Sequence, residues 1–204
     1  MRRSTVCIGD LIRSRGVFVK NETDLYATIG CHPTRSAEFE KDPSGYFQAL
    51  DKLIGANLSG PGRAVAVGEC GLDYDRTRFA STVVQQKHFR GSNDTGRCFH
   101  IDGALTGSQL SLAKKYHLPL FLHSRAAHND FVQILREEGF GEDGGRAVGG
   151  RGGVVHSFTG SPQEANDYVR ARDSPPKPIS LRDTPRLTWD FISGSFSSEC
   201  FLSR

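Results

Sequence analysis

Nothing in this sequence stays apolar for anything near the roughly 18 residues of a membrane span, so no bilayer-crossing segment is expected. Residues Met1 to Gly9 lack the hydrophobic stretch that a secretory leader needs, and no such signal is expected either. Cysteine pairing is missing too. Cys7, Cys31, Cys70, Cys98 and Cys200 are odd in number and show no C-x-x-C spacing. That argues against a zinc-finger or disulfide framework and reads as reduced thiols in an intracellular protein, in cytoplasm, nucleus or both, with no disulfide partners. One-sided charge is lacking as well: a net charge of +3 is too mild to argue nucleic-acid binding by itself. Arg151, between two glycines, and the arginines near position 170 can touch phosphates. With no basic run and no aromatic stacking platform, they read as loop and surface. Hydrophobic residues make up 37% of the chain, below the about 45–50% of ordinary domains, a range that also counts glycine.

What the sequence does have is a repeated passage from apolar strand to polar residue. Ala64-Val65-Ala66-Val67 is a run of the kind that forms a strand buried on both faces. It ends abruptly in Gly68-Glu69-Cys70-Gly71-Leu72-Asp73, a carboxylate on either side of a glycine. Leu25 to Gly30 is β-branched and aromatic and ends in Cys31-His32-Pro33. Leu118 to Leu122 ends in His123-Ser124-Arg125, and Gly153-Val154-Val155 ends in His156-Ser157-Phe158. Thr5 to Ile8 reads as a further short strand.

Helical patterns lie between these strands. Pro43 to Ile54 repeats apolar residues at three- and four-residue spacing behind an Asp42-Pro43 start. Thr82 to Arg90 reads as the start of a helix, residues 91–108 as irregular, and Gln109 to Lys115 as helix again. An amphipathic helix is expected over about Ala126 to Glu138, with Phe131, Ile134 and Leu135 on one stripe. Ser161-Pro162-Gln163-Glu164 has the serine cap, first-turn proline and glutamate of a helix start, and that helix is expected to run to about Arg172.

Strands alternating with helices imply an α/β fold with parallel pairing and right-handed crossovers. Parallel strands bring their C-terminal ends to one face, where such folds collect ligands. His32, Glu69, His123 and His156 are therefore expected to converge. A single histidine after a strand is more often structural; a glutamate and three histidines at successive strand ends point to a metal or catalytic site. Imidazoles and a carboxylate are ligands of hydrolytic divalent-metal centres. Asp73 can orient a ligand or take a proton, and Arg125 and His128 can hold a phosphate oxygen or simply cap a solvated helix.

Four motifs, Ile29 to Arg35, Val67 to Asp75, Leu118 to Arg125 and Gly153 to Gly160, resemble in order and spacing the strand-end motifs of the TatD-type metal-dependent deoxyribonucleases. That resemblance implies a TIM (β/α)₈ barrel of the metal-dependent hydrolase type. It also implies hydrolysis of DNA phosphodiesters, chiefly as a 3′-to-5′ exonuclease, with two divalent ions (Mg²⁺, Mn²⁺ or Zn²⁺). By the same resemblance Glu69 bridges the ions and Glu69, His123 and His156 are the metal residues; with the role read above for Asp73, Glu69 and Asp73 are the candidate catalytic residues. His32 lines the same mouth, and His32, Arg125 and His128 are the candidate substrate-binding residues.

The match is incomplete. A full barrel needs about 250 residues, and the motifs account for about four to five of eight βα units. Family members begin with a metal-binding motif on the first strand, and nothing before Tyr26 matches it. They also carry a late E-T-D-x-P motif; Asp183-Thr184-Pro185 resembles it, but no apolar strand precedes it. The organisation expected is a partial hydrolase domain over 1–172, interrupted at 91–108, and a disordered or non-homologous tail over 173–204, as in a truncated or mis-spliced member. Two other readings stay open. One is a non-catalytic fragment or interaction protein. The other is a different hydrolase of the amidohydrolase superfamily, which usually uses a lysine as the bridge, so that Glu69 counts against it.

Overall fold

A computed structural model describes residues 3–7, 26–60, 63–90, 99–101, 104–106, 109–141 and 143–170. The expected tail at 173–204 lies outside the described residues. Five strands form one all-parallel sheet in the order β1 (Arg3–Cys7), β2 (Tyr26–Gly30), β3 (Ala64–Asp73), β6 (Leu120–Arg125), β7 (Gly153–Val155). A short antiparallel pair, β4 (Phe99–Ile101) and β5 (Ala104–Thr106), stands apart from it. It occupies part of the stretch read from the sequence as irregular, where three-residue strands are too short to show a period. The other residues of 91–108 lie outside the described ones.

Among the described residues there are six α-helices, α1 (Ser36–Phe39), α2 (Pro43–Ala56), α3 (Thr82–Arg90), α4 (Gln109–Tyr116), α5 (His128–Glu137) and α6 (Pro162–Arg170), and three 3₁₀ turns at Pro33–Arg35, Tyr74–Arg76 and Arg146–Val148. Their starts follow side-chain chemistry. Asp42 accepts from the Gly45 N–H at 2.9 Å, satisfying one of the donors that a helix start leaves unpaired. At α6 the bond is reciprocal, Glu164 N–H to Ser161 Oγ at 3.2 Å and Ser161 N–H to the Glu164 carboxylate at 2.6 Å. No helix among the described residues is long and apolar enough to cross a membrane.

β3 is central, paired with β2 on one side and β6 on the other. This is why its apolar run is uninterrupted and why nearly all of it is buried. On one face of the sheet Val67, Leu120, Leu122 and Val155 are buried in a core with Leu50, Ile54, Phe89, Leu110, Phe131 and Ile134 from the helices. Phe89 and Phe131 stack at 5.4 Å between centroids, joining α3 to α5. Thr28, Phe121 and Val154 are only half-buried. Sheet strands alternate their side chains between faces, so these line the other face, along which the strands run toward the functional residues. The strands and helices form part of a (β/α)₈ barrel, with the polar residues at the C-terminal strand ends.

Candidate metal centre

The sequence around Glu69 is built to turn a carboxylate out of a buried strand. β3 and β6 pair in register from Val67 with Leu120 through Gly68 with Phe121, then resume at Cys70 with Leu122 and Gly71 with His123. Glu69 is the extra residue, a bulge of the kind that re-aims a side chain. The glycines on either side permit it. Gly68 and Gly71 have φ of +142° and +141°, and a Cβ at either would run into the carbonyl oxygens of Phe121 and His123 respectively. The Gly68–Glu69 peptide is cis. Cys70, between them, is fully buried; burial first, then the Glu69 charge, pushes its thiol well above the ordinary range, which rules it out as a nucleophile.

Three imidazoles meet the Glu69 carboxylate. His123 Nδ1 lies 2.9 Å and His32 Nε2 3.4 Å from Oε1, and His156 Nε2 is in direct contact with the same oxygen. Burial raises the Glu69 pKa, but the hydrogen bonds of His123, His156 and His32 outweigh it and hold the group well below the usual carboxylate range. Ligand atoms of Glu69, His123 and His156 all lie within 4.8 Å of one another, and so do those of His32, Asp73 and His123.

The remaining ring nitrogens decide what each histidine can do. His123 Nε2 lies 3.1 Å from Asp73 Oδ2; with the ring proton held there, Nδ1 exchanges its hydrogen bond to Glu69 for a lone pair that a cation can take. Ser157 Oγ lies 3.0 Å from His156 Nδ1 and can accept its proton, freeing Nε2 as a ligand. Phe121 stacks on that ring at 4.6 Å. His32 differs: its Nδ1 accepts from the Thr34 N–H at 3.2 Å, so the proton sits on Nε2 and points at Glu69. In that tautomer His32 is a donor at the mouth, not a metal ligand.

Asp73 is completely buried, and its second oxygen, Oδ1, has no hydrogen-bond partner. A neutral cluster would not gather acceptor atoms this densely, because buried polar groups are ordinarily satisfied. One carboxylate, two imidazole lone pairs and a buried aspartate orienting one of them fit a divalent cation.

Arg125 and His128 have other partners. Arg125 Nε lies 3.4 Å from Asp75, and His128 Nδ1 and Nε2 lie 2.9 Å from the Tyr168 hydroxyl and 3.1 Å from Asp167.

Two residues that sequence reasoning missed hold the site from behind. Gln85 of α3 accepts from the Asp73 N–H at 2.7 Å and donates to the carbonyls of Asp73 and Ala80, each at 2.8 Å. Gln109 of α4 does the same for Cys31, next to His32, at 2.6 and 3.1 Å. Both are buried and act as a strand would, pairing backbone at a strand end. The available signal was position: Gln85 lies one helical turn before Phe89, hence on the buried face.

A parallel βα sheet whose C-terminal strand ends gather a glutamate and histidines is the architecture of the metal-dependent barrel hydrolases. The chain belongs to the TatD related DNase family, whose profile matches residues 7–175. It is 38% identical over 141 residues to the Schizosaccharomyces pombe protein named deoxyribonuclease Tat-D, covering 68% of this chain and 37% of that one. It is 31% identical over 152 residues to the Cronobacter sakazakii protein named 3′-5′ ssDNA/RNA exonuclease TatD, covering 74% of this chain and 45% of that one. A solved TatD family hydrolase from Entamoeba histolytica superposes with a TM-score of 0.58 at 28% identity, over 83% of this chain and 48% of that one. The chain thus spans less than half the length of these relatives.

Proposed function

We propose that the chain hydrolyses phosphodiester bonds of DNA from the 3′ end, as a metal-dependent exonuclease. The observation that carries this is the convergence of His123, His156 and His32 on one oxygen of Glu69. Glu69, His123 and His156 would hold divalent metal, Mg²⁺, Mn²⁺ or Zn²⁺, two ions in all. When bound, such ions supply Lewis-acid polarisation of the scissile phosphate and stabilise the attacking and leaving oxygens.

The chain's own residues do the rest. Asp73 fixes the His123 ring through Nε2, keeping Nδ1 aimed at the cluster. His32, with its proton on Nε2, donates at the mouth, where a phosphate oxygen can compete with Glu69 for that proton. Phe121, stacked on the His156 ring at 4.6 Å, holds that imidazole in place beside Glu69. Residues 1–172 would form the hydrolase unit and 173–204 a tail outside it, in cytoplasm or nucleus, where the buried thiols of Cys31 and Cys70 would stay reduced.

The test is 5′-labelled single-stranded DNA incubated with the chain in Mg²⁺ and again in EDTA. Stepwise shortening in Mg²⁺ that disappears in EDTA and in Glu69→Ala is expected. A sample that melts cooperatively yet leaves the DNA intact in all three metals would sink the proposal. That outcome would favour the second reading, a non-catalytic relative. The observation favouring it is that nothing before Tyr26 carries the family's first-strand metal motif and no apolar strand precedes Asp183-Thr184-Pro185.

A further inference from the structure

Beside Asp73 the chain turns through Tyr74–Arg76 and runs on to α3, and this segment has a composition the proposed reaction does not itself need. Phe79 is 51% exposed and Val83 60% exposed, two of the four large hydrophobic side chains most exposed among the described residues. Exposed apolar side chains are ordinary when scattered singly. These two stand four residues apart, in one segment with two arginines. The Arg78 guanidinium sits 4.7 Å from the centroid of the Phe79 ring, a cation–π contact that covers part of the ring and fixes its plane. The Phe79 N–H donates to the Arg76 carbonyl at 3.1 Å, closing the turn that presents both residues. Arg76 reaches back to the site: its guanidinium is 3.8 Å from Asp73 Oδ2 and its side chain is 47% exposed.

We infer that Phe79, braced by Arg78, is a stacking platform for a nucleobase of single-stranded nucleic acid, with Arg76 and Arg78 meeting the adjoining phosphates. The chemistry is that of single-strand binding surfaces: an aromatic face accepts any base, and guanidinium groups follow the backbone. Because Arg76 touches the aspartate that orients His123, a strand anchored on this turn lies at the lip of the metal cluster. Phe79 then selects unpaired nucleotides, since a base inside a duplex has no free face to offer. This inference rests on the nuclease reading of the site.

The test separates the two. Binding of a fluorescent oligothymidylate is measured by polarisation in EDTA, where it is not cut, against an abasic strand of the same length. Wild type is compared with Phe79→Ala and Phe79→Trp, and their melting curves serve as folding controls. Loss of one stacked base costs about 5- to 150-fold in affinity. Phe79→Ala is therefore expected to weaken the base-bearing strand by a factor in that range, to change the abasic strand less than about twofold, and to be rescued by Phe79→Trp. Equal weakening of both strands, or no weakening, overturns the platform. So does light scattering that shows a dimer of this chain dissolved by Phe79→Ala, because the patch is then a contact between copies. Wild type that prefers the base-bearing strand but fails to cut it in Mg²⁺ overturns the nuclease reading and leaves the platform standing. Wild type that cuts both strands in Mg²⁺ yet binds them with equal affinity does the reverse.

Discussion

His88 of α3 is fully buried, tilted against the Phe39 ring at 4.4 Å and 3.2 Å from Ser36 Oγ. Burial holds its pKa down at about 3, so the folded protein keeps the ring neutral over a range in which the unfolded chain protonates it. The unfolded state binds the extra proton between its own pKa, near 6.5, and the folded value near 3. Stability is thus fully present above about pH 6.5 and falls as the pH drops through that window, by about 1.4 kcal/mol per unit for one proton. Urea unfolding at pH 7 and pH 5 should show this slope, and His88→Gln should flatten it. At the metal centre, Asp73→Asn should test the orienting role. An asparagine amide can present its NH₂ to Nε2 and turn the imidazole proton onto Nδ1, so metal affinity by calorimetry should fall at least tenfold, in line with the loss of an orienting partner.

Among the elements, β3 and its neighbours were legible because a buried parallel strand is a plain apolar run, and each run stopped at the residue that now faces the site. Ser161 and Asp42 announced their helices through side-chain chemistry confined to one turn. The glutamine clamps were not legible in that way. Gln85 and Gln109 are polar residues in helices, a pattern that usually marks the solvent face, and only the sheet behind them gives their amides backbone to bond. Replacing Gln85 with leucine keeps the volume but leaves the Asp73 N–H and two carbonyls without their partner, each costing about 1–3 kcal/mol. Chemical denaturation should register that loss, and metal affinity should fall with it. Gly71→Ala attacks the same element from the other side: its Cβ meets the His123 carbonyl, and a positive φ alone costs about 1–3 kcal/mol. A soluble Gly71→Ala chain with unchanged midpoint would contradict the close approach of β3 and β6.

For the molecule as a whole, a metal held as proposed by Glu69, His123 and His156 would bind the folded state, so it should raise stability by mass action. At a concentration a hundredfold above Kd the gain is about 2.7 kcal/mol, which moves the melting midpoint of a chain this size by about 5–10 °C. The shift should vanish in EDTA and in Glu69→Ala. The bond between His123 and Asp73 offers a second readout of the same whole. Its proton lies between a ring on β6 and a carboxylate with no exposure on β3, whose backbone is gripped by α3. Water reaches it slowly, so it should give a separate, far-downfield proton resonance in NMR spectra. That single line is a tell-tale for sheet pairing, helix docking and ligand orientation together, and it should broaden and vanish as soon as any one of them lets go.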